Sequence, residues 1–226
     1  MQAALFGAVE AVLFDIDGTL TDTVTAIEES MRMALDEFGW GDLMPCDLRR
    51  LIGKPWQEFI PRMHPQDPEG FRRRFMEIAK DVQGARAPFP GIPEALAELK
   101  AAGYRMAIVT TKSRTITDYM LEKFALGDYF EVSISADEVR SHKPEPEPVL
   151  KAVEALGVAP RRSVMIGDTP MDVLAGRRAG TWTTAVTWGM GSREELAAAG
   201  PDFVLESVLD ITGLLVPRGG NDFASR

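Results

Sequence analysis

The sequence predicts an α/β fold: a parallel sheet with helices on both faces, plus a small all-helical unit inserted after the first strand. Three observations carry this. From Pro88 to residue 215, short apolar or β-branched runs alternate with segments whose apolar residues recur at helical spacing. Strands separated by helices of that length need crossover connections, so the sheet is parallel and Rossmann-like. Far upstream, the isolated apolar run Ala11-Val12-Leu13-Phe14 ends in Asp15 and Asp17, as a strand buried on both faces does at a ligand crevice. Between them lie helical patterns only, with Pro45, Pro55, Pro61, Pro65, Pro68 and Pro88 among them. The expected units are a core from residues 1–19 and 88–216, a helical insert at 20–87 and a disordered tail at 217–226.

Taken in order, Val24, Ile27, Met31, Leu35 and Phe38 mark the first helix, with Thr25 and Glu28 as a capping box and Gly39 as its stop. Two more helical patterns follow, around 46–63 and 69–83. Pro93 opens a helix through Leu99 that closes at Gly103. Tyr104 to Thr110 is a strand, and the helix bearing Ile116 and Met120 runs to a stop at Gly127. Phe130 to Ser135 is a weaker strand, followed by the polar loop Ser141 to Pro146. A helix using Val149 and Val153 ends at Gly157. Ser163 to Gly167 is a strand; Thr169 caps the next helix, Pro170 is its first residue and Gly180 ends it. Thr181 to Thr187 is a strand, Ser192 and Glu195 form a capping box, Asp202 to Leu205 is the last strand, and Ser207 caps a helix to Leu215.

With 226 residues, 45% of them hydrophobic, the chain can bury one good core and a smaller one. The net charge of −9 argues against nucleic acid or an anionic membrane surface as partner, since both favour a basic face. The single cysteine, Cys46, rules out an internal disulfide and points to a reducing, cytoplasmic setting. No apolar run approaches membrane-spanning length, and Met1 to Gly7 lacks the basic start and apolar centre of a signal peptide. A local basic island (Arg49, Arg50, Lys54, Arg62, Arg72, Arg73, Arg74) is either a solvated helix face or an aid to drawing in an anionic substrate. Its Gly53-Lys54-Pro55-Trp56 turn is the place for a lid contact, so Gly53 and Lys54 are candidate specificity residues.

Three strands end in an oxygen-bearing side chain: Phe14 before Asp15, Val109 before Thr110, Gly167 before Asp168. A parallel sheet brings these ends to one edge, where the loop carrying Lys143 also arrives. An Asp pair at a strand end often only caps a turn, but two acids so close also repel unless a cation compensates. Carboxylates suit a divalent ion such as Mg²⁺. The Thr110 hydroxyl, Thr111 and the N–H groups entering the next helix suit phosphate oxygens, and Lys143 suits their charge. A carboxylate is also a competent nucleophile toward phosphorus.

Asp15-Ile16-Asp17-Gly18-Thr19, Thr110, Lys143-Pro144 and Gly167-Asp168-Thr169-Pro170-Met171-Asp172 resemble, in this order, the four motifs of the haloacid dehalogenase superfamily. The resemblance spans Val12 to Leu205 and is nearest to the phosphoglycolate phosphatase-like and pyrophosphatase-like members. It implies Asp15 as nucleophile and metal ligand, and Asp17 as acid/base and as ligand through its backbone carbonyl. It implies Thr110 and Lys143 as phosphate binders, Asp168 as a metal ligand, Asp172 as an acid near the metal, and the helical insert as a cap. The expected activity is Mg²⁺-dependent hydrolysis of a small phosphorylated metabolite, phosphoglycolate-like, through an aspartyl phosphate, by a monomer or weak homodimer. A pyrophosphatase, a beta-phosphoglucomutase-type enzyme and a non-catalytic phosphoacceptor switch remain alternatives. A switch needs neither the insert nor Asp17.

Overall fold

In the computed structural model, which describes residue 5 and residues 7–43, 67–84 and 87–216, strand β1 (Ala11–Phe14) is buried along its whole length. β2 (Arg105–Val109) and β4 (Ser163–Gly167) flank it, β3 (Val132–Ile134) lies beyond β2, and β5 (Trp182–Val186) and β6 (Phe203–Leu205) lie beyond β4. The order is β3-β2-β1-β4-β5-β6, with every pairing parallel. The chain runs outward from β1 through β2 to β3 and then returns to β1's other side as β4. The crevice of such a sheet lies where the winding reverses, at the carboxyl ends of the strands. Register sets its geometry: Phe14 pairs with Ile108 on one side and Ile166 on the other. Asp15, Thr110 and Asp168 therefore leave the sheet within a residue of one another.

Helices α3 (Ile92–Ala101), α4 (Arg114–Lys123) and α8 (Leu209–Leu215) cover one face. There Ile92, Leu96, Leu99, Ile116, Met120 and Ile211 pack with Val12, Phe14, Ile108 and Ile166. α5 (Glu147–Ala155) and α6 (Pro170–Ala179) cover the other, around Leu13, Val109, Val149, Val153 and Met165. Alternate residues of β1 thus feed opposite cores, which is why it reads as an unbroken apolar run. α7 (Arg193–Ala199) packs Leu196 against Val173 and Ala185.

Between β1 and α3 the described chain holds α1 (Val24–Glu37) and α2 (Pro68–Gly84). They bury a cluster of their own: Ile27, Met31, Leu35, Phe71, Phe75 and Ile78. Phe71 is central, wholly buried and edge-on to Phe38. The two chain passages between this pair and the sheet run side by side: Thr21 bridges Pro88 in antiparallel fashion, and Phe89 N–H donates to Leu20 O at 3.0 Å.

Three expected details change. α1 starts at Val24, so Thr23 and not Thr25 is its N-cap. The Thr23 hydroxyl makes no cap hydrogen bond because it is used elsewhere. The turn after α4 comes earlier than Gly127, at Ala125, which takes a left-handed φ of 54°. The last helix has Val208 at its N-cap, with Ser207 Oγ accepting from Leu209 N–H just before it. The capping boxes at Thr169/Asp172 and Ser192/Glu195 form as read. Gly53, Lys54, Cys46, Trp56, His64, the 46–63 helical pattern and the 217–226 tail lie outside the described residues.

Candidate active site

At the carboxyl end of β1, Ile16 turns into the core while Asp15 and Asp17 stay at the edge, 6% and 8% exposed. The tight turn that follows needs Gly18. Its φ is +74°, and a Cβ there would lie 2.0 Å from Asp168 Oδ2. Asp168, wholly buried at the end of β4, accepts from the Thr19 hydroxyl at 3.1 Å and from Met190 N–H at 2.7 Å. Asp172 sits at the third position of α6, where its Oδ2 accepts from both the backbone N–H and the hydroxyl of Thr169. Its Oδ1 is left for the Lys143 ammonium, 2.6 Å away.

Lys143 is itself only 4% exposed. Its Nζ meets Asp172 Oδ1, Val109 O at 3.1 Å and Asp15 Oδ1 at 3.0 Å. One buried ammonium thus ties the acid after β1 to the acid on α6 across the end of β2. The contact to Asp15 Oδ1 lies off the hydrogen-bond direction, so that oxygen is buried without an aligned donor. Asp15, Asp168 and Asp172 each present an oxygen within 4.8 Å of the others.

The electrostatics follow. The Asp15 carboxyl is raised to about 7 by burial above all, with Lys143 pulling it down and Asp172 and Asp17 adding to the rise. Burial, then the charges of Asp172 and Asp15, hold Asp168 well above the usual carboxylate range, against the Met190 N–H and the Thr19 hydroxyl. For Lys143, burial works against the charge, but Asp15 and Asp172 outweigh it and the net shift is upward. Crowded buried acids are what an added cation relieves. The donors are all oxygen, which fits a hard divalent ion.

Asp17 is held apart from that trio. Its Oδ2 pairs with Lys112 Nζ at 2.9 Å and its Oδ1 accepts from the Thr23 hydroxyl. Lys112 follows Thr110 and Thr111 after β2. Its N–H donates to Thr110 Oγ1 at 3.2 Å, and its carbonyl accepts from Ala136 N–H at 2.8 Å. Next, Ser113 caps α4 without a side-chain bond to the helix, and its Oγ is buried with no hydrogen-bond partner. Beyond it opens a groove of about 440 Å³ between α2 (Arg72, Arg73, Met76) and the start of α4 (Ser113, Ile116). Of the basic island, Arg74 is paired with Glu37 and Glu77, and Arg72 with Glu69.

Asp15, Lys143, Asp168 and Asp172 are therefore brought together, Thr110 and Thr111 form the adjoining turn, and Asp17 faces Lys112. Sequence reasoning gave no contact to Lys112, Thr23 or Thr19 and missed the loop after β5. In that loop Trp188 Nε1 donates to Thr19 O at 3.1 Å, Gly191 N–H donates to Asp168 O, and a Cβ on Gly189 would lie 2.2 Å from Asp168 Oδ2. Met190 also packs on the cluster of α1 and α2. The available signal was Gly189-Met190-Gly191 directly after a strand, as Gly18 follows β1.

The sequence model of the haloacid dehalogenase-like hydrolases matches residues 12–186. The pyrophosphatase PpaX of Bacillus velezensis is 34% identical over 204 residues, covering 90% of this chain and 94% of that protein. A phosphoglycolate phosphatase of Aquifex aeolicus is 32% identical over 209 residues, covering 90% and 95%. Among solved structures, CbbY of Rhodobacter sphaeroides in complex with phosphate superposes with a TM-score of 0.79 at 26% identity, covering 91% of this chain and 97% of that one. Strand-end acids at a topological switch point and these likenesses agree: the chain belongs to the haloacid dehalogenase-like hydrolases, and it is a phosphohydrolase.

Proposed function

We propose that this protein is a Mg²⁺-dependent phosphatase that hydrolyses a small phosphate monoester, phosphoglycolate-like, through an aspartyl phosphate on Asp15. The observation that supports this most directly is the Asp15–Lys143–Asp172 bridge with Asp168 alongside. Asp15 attacks phosphorus with a carboxylate oxygen, and Lys143, anchored by its bond to Val109 O, holds that carboxylate in place. Asp17 gives a proton to the leaving oxygen and then takes one from the water that cleaves the acyl phosphate. Thr110, Thr111 and the N-terminus of α4 receive the phosphoryl oxygens. Mg²⁺ would be held by Asp15, Asp168 and the Asp17 backbone carbonyl, with Asp172 nearby; when bound it neutralises charge between nucleophile and phosphoryl group. In this reading α1 and α2 belong to a cap spanning residues 20–87 that shields the acyl phosphate from bulk water.

The test is phosphate release with Mg²⁺ from phosphoglycolate, pyrophosphate, sugar phosphates and p-nitrophenyl phosphate, with Asp15→Asn alongside and an acid quench to trap phosphoenzyme. Turnover lost in Asp15→Asn and reversibly lost on chelation is expected. A fully active Asp15→Asn protein overturns the covalent route.

A further inference from the structure

We infer that Lys112 is a specificity residue, selecting phosphate compounds whose leaving group carries a second anion close to the bridging oxygen. This rests on the phosphatase reading above and concerns the leaving-group side of the same site. Lys112 Nζ stands 2.9 Å from Asp17 Oδ2, and the two side chains are only 8% and 11% exposed. An acid that protonates a leaving oxygen must come within about 3 Å of it. Any oxygen that Asp17 serves therefore arrives within about 6 Å of the Lys112 ammonium. That is one anionic group's reach.

Lys143 cannot take this part. Its ammonium is directed at Val109 O, Asp172 Oδ1 and Asp15 Oδ1, on the nucleophile's side. Lys112 is also placed firmly, since both its N–H and its carbonyl are bonded, to Thr110 Oγ1 and to Ala136 N–H. A neutral leaving group offers the Lys112 ammonium, already beside Asp17, no charge-assisted hydrogen bond. A carboxylate one carbon from the bridging oxygen, or a second phosphoryl group on it, offers one. The phosphoglycolate and pyrophosphate enzymes among the relatives have in common a substrate of this form. The buried, unpartnered Ser113 hydroxyl on the next residue stands ready as a further donor.

The experiment is calorimetric binding, with Mg²⁺ present, of 3-phosphonopropionate and propylphosphonate, which have the same length and differ in the terminal carboxylate. Wild-type protein is expected to bind the carboxylate compound at least tenfold more tightly, as a charge-assisted hydrogen bond provides. Lys112→Met should remove that preference and Lys112→Arg should restore most of it. Equal binding of the two compounds by wild type, no binding of either, or a preference that survives in Lys112→Met each overturns the inference. Phosphate release from phosphoglycolate and from pyrophosphate by the same wild-type sample reports separately on the phosphatase reading. Activity without anion preference sinks only the role of Lys112; anion preference without activity sinks only the phosphatase.

Discussion

Replacing Lys143 by methionine keeps the unbranched apolar stem and removes the ammonium. Asp15 and Asp172 are 6% and 1% exposed, and both lean on that ammonium. Removing one partner of a buried ion pair costs about 3–5 kcal/mol, because the other charge stays buried. That is a large part of a typical stability of about 5–15 kcal/mol. The cost depends on pH in a defined direction. The Asp15 carboxyl is already raised from 3.8 to about 7 with Lys143 pulling it down, so without Lys143 it rises further. An acid raised in the folded state keeps a proton that the unfolded chain has lost. The stability it contributes is present below the unfolded value and is lost as pH climbs through the folded one. Urea unfolding followed by circular dichroism in a chelator should thus show a small deficit for Lys143→Met near pH 4 and the full deficit at about pH 8.5. A deficit below about 1 kcal/mol at the higher pH, or equal deficits at both, would refute the claim that Lys143 is the counter-charge of two buried acids.

Gly18→Ala forces a left-handed φ on a residue with a Cβ, at about 1–2 kcal/mol, and drives that Cβ into Asp168 Oδ2. Mg²⁺ affinity should fall by about 10-fold or more in a calorimetric titration, and unchanged affinity would free Asp168 from that role. Because ion binding must displace the proton from Asp15, raised to about 7, Mg²⁺ affinity of the wild type should climb between about pH 5 and 7 and then level off, with proton release visible as buffer-dependent heat; a flat profile contradicts it. Phe71→Ala empties the middle of the α1–α2 cluster, where Phe71 is wholly buried, at about 3–5 kcal/mol. Hydrogen exchange should quicken in α1 and α2 while β1 and β4 stay protected, and equal loss in both would show that the two clusters unfold as one.

Much of the fold is legible along the chain because its causes are local. Thr169 and Asp172 can close a capping box wherever the helix lies, and so can Ser192 and Glu195. Gly39, Gly103, Gly157 and Gly180 end helices because each takes a positive φ. Two features are displaced from where local preference puts them. Thr23 is a good helix cap whose hydroxyl is bound instead by Asp17. Ala125 holds a turn that the sequence assigns to Gly127, which lies within a short 3₁₀ turn two residues on.

By itself, the sequence determines that acids stand at the ends of buried strands. A strand covered on both faces must be apolar throughout, so Asp15 and Asp168 mark where β1 and β4 emerge. Which groups then meet is decided by the tertiary structure alone. Lys143 reaches Asp172 across 29 residues and Thr19 reaches Asp168 across 149, because parallel register levels the strand ends and crossovers set the helices above them. The pairing of Lys112 with Asp17 is of the same kind. A lysine two residues past a strand looks like any surface charge until the sheet places a carboxylate 2.9 Å from it.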